Sequence, residues 1–353
     1  MSTPSFEKMR EELKANGLVF VRNFIPMADA IAIKNDIENS VQKDLQEREN
    51  AKQPTGRFDG SVGISHNNQG KHIITDFFGR SAKLDQAMGQ LFEDENVSRL
   101  LKFIGGDHLK LRGYNTRRMN GPVNYSAMEW HRDNVGEFTI GVVLSESGKK
   151  NTDSATCYIP GSHLYPYCPF TNSQFTMPVP IPPRPFGERF FSSRLEKKTT
   201  MKSQDAIGQP GDVYIFVGDL WHGRRANLVA NNDVVFFVGL FPTEVPFPSH
   251  AKVDIPTDEV LATLPAALRR VVDFRETPPN TVKTSYFYEI QREKISYGFF
   301  SLWNLAKQET RFWKSTQLGG NPAVQKIITK IENLFRPFTN LSARVVRRLR
   351  RDF

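Results

Sequence analysis

The chain has 353 residues, 39% hydrophobic and 24% charged, with 22 Pro, 24 Gly and two Cys. That composition excludes a disordered, collagenous or coiled-coil protein, and two cysteines exclude a disulfide framework. The net charge of +9 sits at one end: residues 291–353 hold 13 Lys and Arg against 4 Asp and Glu, so the rest of the chain balances to zero. A neutral body argues against a fold that grips nucleic acid. The longest apolar run, Val234 to Phe241, is strand-sized and far short of a bilayer span. The opening MSTPSFEKMREELK lacks the apolar stretch of a signal peptide, and Cys157 and Cys168 suit a reducing compartment, so a cytoplasmic location is expected.

In chain order, residues 5–16 predict a short amphipathic helix stopped by Gly17. LVFVRNFI, 18–25, reads as a strand, and 27–49 returns to helical period with Ala30, Ile31, Ile33 and Ile37 on one side. Residues 50–80 are polar and Gly-rich, the mark of a functional loop or lid, and a helix is expected over 81–103. From His108 the texture changes to short strands, at 108–116, 126–133, 138–145, 155–159, 212–217 and 233–241, with a Pro-rich excursion at 178–191. Helical segments near 257–272 and 280–350 close the chain. The pattern predicts a mainly β domain of sandwich or barrel type over 1–250 with N-terminal helices, and a helical, basic extension over 251–353.

EWHRDN, 129–134, contains the only His-x-Asp of the chain. On a strand, residues i and i+2 share a face, so His131 and Asp133 present an imidazole and a carboxylate together. His222 follows the strand GDVYIFVGDLW. Two histidines and one carboxylate form the facial set that holds non-haem Fe(II) and leaves positions open for co-substrate and oxygen. The plainer alternatives are a surface ion pair of Asp133 with Arg132 or Arg112, and a core His222 bonded to backbone.

Around these residues lie CYIPGSHLYP, 157–166, and QPGDVYIFVGDLWHGRRAN, 209–227. With His131/Asp133, Pro160–His163, Gly211–Asp212, His222–Gly223 and Asn227, the sequence resembles the phytanoyl-CoA dioxygenase family of Fe(II)- and 2-oxoglutarate-dependent oxygenases. The opening helix–Gly–strand–helix is similar too, and the resemblance spans roughly 5–242. It implies a double-stranded β-helix (jelly-roll, cupin-like) core and a metal held by His131, Asp133 and His222. It also implies oxidative decarboxylation of 2-oxoglutarate coupled to C–H hydroxylation. Presence of the carboxylate ligand favours hydroxylation over the halogenation of relatives that lack it. His163 is expected to support the site rather than ligate.

Two positions depart from the family pattern. Where a Ser and an Arg are usual, seven and eleven residues after the distal histidine, the chain has Val229 and Asp233. That Arg clamps the distal carboxylate of 2-oxoglutarate, and an Asp repels it. Arg112, Arg224 and Arg225 are the candidate replacements, with Asn227 beside them in the co-substrate region. A non-catalytic jelly-roll binding protein that has lost 2-oxoglutarate is the rival reading.

The tail mixes aromatic and aliphatic positions at helical spacing with Arg344, Arg347, Arg348, Arg350 and Arg351. Such basic amphipathic text suits an anionic membrane surface, and equally a helix packed on the core or on a second subunit. A small-molecule or lipid-linked substrate is therefore expected, with nucleic acid disfavoured and the oligomeric state open.

Overall fold

The computed structural model describes residues 3–50, 64–66, 71–122, 128–133, 136–146, 155–164, 203–225, 227–228, 232–245, 256–273 and 286–290. At 48–49, 64–66, 71 and 128–131 the description is of backbone alone. The expected Pro-rich excursion, Cys168, Val229 and the tail beyond 290 lie outside the described residues.

Helix α1 (Phe6–Asn16) begins where the Ser5 hydroxyl accepts from the Lys8 N–H, and it buries Met9 and Leu13. It ends at Gly17, whose φ of 77° lets its N–H return to the Leu13 carbonyl at 2.7 Å. A side chain at Gly17 would also stand 2.6 Å from the His163 ring, so the position is doubly closed to other residues. Strand β1 (Leu18–Val21) and helix α2 (Met27–Asn50) follow. Ala30, Ile33, Ile37 and Val41 form the buried stripe of α2, whereas Ile31 is exposed, because a residue next in sequence lies about 100° round a 3.6-residue turn.

The segment expected as one helix over 81–103 is two, α3 (Ala82–Glu93) and α4 (Glu95–Gly105). Asp94 is the joint: its extended backbone ends the first helix, and its carboxylate accepts from the Val97 N–H to start the second. The stretch expected as a lid contains a hairpin, β2 (Ile64–His66) and β3 (Lys71–Ile74), and β3 adds to the edge of a longer strand, β4 (Leu109–Met119). Edge pairing there satisfies backbone groups that local polarity suggested were solvated.

The remaining strands are β5 (Met128–His131), β6 (Phe138–Val143), β7 (Thr156–Tyr158), β8 (Gln204–Asp205), β9 (Val213–Val217), β10 (His222–Arg224) and β11 (Asp233–Pro242). They form a seven-stranded sheet of order β1-β9-β6-β11-β4-β3-β2 and a four-stranded sheet of order β5-β10-β7-β8, with every pairing antiparallel. From β4 onward the chain crosses repeatedly between the sheets, which is the winding of a double-stranded β-helix. The inner faces meet side chain to side chain: Thr156 of β7 bonds Tyr214 of β9 at 2.9 Å.

The outer face of the larger sheet is the apolar core. Ile140, Val142, Ile215, Phe236, Val238 and Leu240 are wholly buried there. Tyr114 stacks on Phe78 at 4.1 Å, meets the Phe236 edge at 4.5 Å, and donates to Asp85 of α3. Two further helices, α5 (Asp258–Thr263) and α6 (Ala266–Val272), are separated at Pro265, and α6 packs on α3 and β4. One compact unit comprises Met1–His163 with Pro169–Tyr288, and therefore includes α5 and α6; the other comprises Leu164–Cys168 with Glu289–Phe353.

Candidate active site

Strands β5 and β10 are neighbours in the smaller sheet, and their register sets His131 directly opposite His222. The backbone register alone brings these two positions together. Just past β5, the Asp133 N–H donates to the Gly218 carbonyl at 2.9 Å, which turns its carboxylate inward. Asp133 Oδ2 lies 3.7 Å from His222 Nε2 and accepts from Thr139 Oγ1 at 3.3 Å.

The tautomer of His222 follows from its contacts. Nδ1 stands 2.9 Å from the Leu220 carbonyl, an acceptor only, so Nδ1 carries the proton and the Nε2 lone pair faces Asp133. Burial, against that backbone bond and with help from Arg117, pushes the imidazole down from 6.5 to about 4, so the ring is neutral at pH 7. A neutral nitrogen and a carboxylate oxygen form a donor pair. Ligands about 2.0–2.2 Å from a shared first-row ion can stand up to roughly 4.3 Å apart, so the pair fits one metal. Among the described side chains no third His, Cys, Asp or Glu completes a cluster; the His131 side chain lies outside them.

The Pro-Gly-Ser-His segment straps this arrangement. Ser162 Oγ accepts the N–H of Trp221, the residue before His222, at 2.9 Å. The Ser162 carbonyl accepts from Arg132, the residue between His131 and Asp133, also at 2.9 Å. His163 is fully buried, with Nε2 2.9 Å from the Tyr286 hydroxyl. The Gly-Asp pair has a similar role. The Asp212 carboxylate accepts from Arg22, from the Asn23 N–H and from the Gln209 N–H, tying the turn after β1 to the start of β9.

The cations named from sequence all meet carboxylates. Arg112 is the extra residue of a bulge in β4 and holds Glu137 at 2.8 and 3.0 Å. Arg225 reaches Asp205 at 2.7 Å and Ser203 at 3.2 Å. Arg224 and Asp233, both buried, form an ion pair between the sheets. The buried Asn227 side chain donates to the Met119 carbonyl at 3.3 Å. A further arginine, Arg117, lies on the inner row of β4. The strand expected over 108–116 runs on to Met119 because β11 pairs with it as far as Asp233, and that pairing brings Arg117 into the sheet.

Residues 13–230 match the family model described as Phytanoyl-CoA dioxygenase (PhyH). The chain belongs to this family. Among curated proteins nothing matches it. HygX from Streptomyces hygroscopicus, solved with nickel and 2-oxoglutarate, is similar at 13% identity, covering 72% of this chain and 92% of its own, with a TM-score of 0.45. SnoK, a non-heme alpha ketoglutarate dependent carbocyclase from nogalamycin biosynthesis, is similar at 12% identity over 68% and 87%, TM-score 0.47. SnoN, the alpha ketoglutarate dependent epimerase of the same biosynthesis, is similar at 15% identity over 72% and 93%, TM-score 0.42. Within this phytanoyl-CoA dioxygenase family member, the donor pair suits a metal, whereas Asp233 fills the position where the resemblance calls for arginine.

Proposed function

We propose that this family member is an Fe(II)- and 2-oxoglutarate-dependent oxygenase that hydroxylates a C–H bond of a small or lipid-linked molecule. The observation that carries the reading is the donor pair itself: His222 Nε2 and Asp133 Oδ2 at 3.7 Å, with His131 at the register position opposite His222. Iron, when bound, supplies the oxygen chemistry. The protein's part is positional. The Leu220 carbonyl fixes the ring of His222, Thr139 orients the Asp133 carboxylate, and Ser162 spaces the two ligand-bearing segments.

Anaerobic Fe(II) titration of the full chain, with and without 2-oxoglutarate, tests this directly. A weak visible charge-transfer band on adding 2-oxoglutarate, and succinate formation in air, support the oxygenase. A chain that binds no Fe(II), Mn(II) or Co(II) is not one. The Arg224–Asp233 pair favours a second reading, a binding protein that kept the fold without the co-substrate; metal binding with no succinate at any 2-oxoglutarate concentration would select it.

The lipid-linked substrate rests on the excess positive charge and apolar spacing of 291–353. Among the described residues no helix is long and apolar enough to cross a membrane. We infer peripheral attachment to an anionic surface from those residues, and a cytoplasmic setting from Cys157 and Cys168, which suit a reducing compartment.

A further inference from the structure

Along β4, Gly113, Asn115 and Arg117 keep intermediate exposure, while Tyr114, Thr116 and Arg118 between them are buried on the helical side. Strand alternation therefore sets Arg117 on the face that looks across to the smaller sheet. The register places Met119 opposite Asp233 and Arg117 opposite Val235. Arg117 is thus the diagonal neighbour of Asp233, at a separation of roughly 7–8 Å that an arginine side chain spans.

The Arg117 guanidinium lies over the Phe237 ring, 4.9 Å from its centre. Its charge helps hold the His222 imidazole neutral. Burial and the like charges of Arg224 and Arg112 press it toward its neutral form, and Asp133 and Tyr214 oppose them. Asp233 would repel an anionic ligand, but Arg224 pairs with it and cancels that charge. Arg117 shares the inner face with this cancelled pair, and its charge and that of Asp133 act on one another.

We propose that Arg117 binds the carboxylate of the 2-oxoacid co-substrate that is distal to its 2-oxo group, supplying from the neighbouring strand the charge that position 233 no longer carries, with Arg224–Asp233 as the buttress of the cluster. This rests on the oxygenase reading above. A planar fork from β4 makes a two-point contact with a carboxylate, and the Phe237 face holds that fork in plane.

The test compares 2-oxoglutarate with 2-oxobutyrate, which keeps the chelating 2-oxocarboxylate and lacks the distal carboxylate. Both are titrated anaerobically into the Fe(II)-loaded full chain, as wild type, Arg117→Met and Arg224→Met. The wild type should prefer 2-oxoglutarate on the order of 10- to 150-fold. Arg117→Met should bind the two acids alike, with Fe(II) affinity in their absence close to wild type. Arg224→Met leaves the Asp233 charge uncancelled, so the preference should fall there too; retained preference in Arg117→Met overturns the assignment and leaves the oxygenase reading standing. A wild type that binds neither acid removes both. Should Arg117→Met not fold, Arg117→Lys carries the test, because an ammonium makes only a single-point contact: the preference should shrink without vanishing, and an unchanged preference overturns the proposal.

Discussion

Arg224, on the strand that begins with His222, is ion-paired with Asp233, at the position where the family resemblance calls for an arginine. Both side chains are buried between the sheets. A buried pair contributes little against an apolar replacement, yet loss of one partner leaves an uncompensated charge. Asp233→Ala should therefore destabilise the protein by about 3–5 kcal/mol, and the double change Arg224→Leu with Asp233→Leu should recover much of that loss. Urea denaturation of the three proteins measures it. A double variant no more stable than Asp233→Ala would mean that the pair is not the main link.

Metal affinity should respond in two tiers. His131→Ala, Asp133→Ala and His222→Ala each remove a proposed ligand and should nearly abolish Fe(II) binding. Thr139→Val removes only the hydrogen bond to Asp133 and should weaken binding on the order of 10- to 100-fold. Competition with a chromogenic chelator separates the tiers. Equal losses in all four variants would point to unfolding in place of ligand removal.

Ser162 and His163 are adjacent but should behave differently. Ser162→Ala leaves the buried Trp221 N–H unsatisfied, costing about 1–3 kcal/mol, and lets His222 drift, so stability and Fe(II) affinity fall together. His163→Ala breaks the contact with Tyr286 and should lower stability while leaving Fe(II) affinity near wild type. Thermal melting alongside the chelator assay checks both. A His163→Ala variant that folds yet cannot bind Fe(II) would make His163 a ligand.

Cys157 gives a pH signature. Burial, opposed by the Arg225 charge, raises its thiol from 9.0 to about 11. The protonated thiol is favoured in the folded chain, so its contribution is full below pH 9 and is lost as pH rises through 11. Wild type should lose up to about 2–3 kcal/mol more stability than Cys157→Ala between pH 8 and 11. Iodoacetamide at pH 7.5 should label Cys157 only after denaturation. Label found on Cys157 of the native protein, told apart from Cys168 by peptide mapping, would refute the burial.

The excess positive charge of 291–353 should hold the chain on anionic liposomes. Each Lys or Arg near an anionic bilayer contributes about 1 kcal/mol, and the attraction is screened within a Debye length. The full chain should pellet with anionic vesicles at low salt, not with neutral ones, and a chain truncated after Pro337 should stay in solution. If the full chain remains in the supernatant throughout, the membrane-proximal substrate is withdrawn with it.

The sequence by itself determined β1, β4 to β7, β9 and β11, and it marked His131, Asp133 and His222 as candidate ligands, because alternation and residue spacing are local properties of the chain. It also marked Ser162, Asp212 and Asn227 as motif residues without saying what they hold. Pairing decided the rest. The 50–80 segment looks like a loop until β4 offers it an edge, and the helix expected over 81–103 divides at Asp94 because a capping carboxylate outweighs a continuous apolar stripe. The cations show the limit most clearly. Spacing marks Arg112, Arg224 and Arg225 as candidate co-substrate cations, whereas their partners Glu137, Asp233 and Asp205 lie 25, 9 and 20 residues away and meet them only across strands. Arg117 gains its position beside Asp233 from β4–β11 register, a relation between residues more than a hundred apart in the chain. Coulombic pairing depends on distance in space, and no spacing along one strand encodes which carboxylate the neighbouring strand will present.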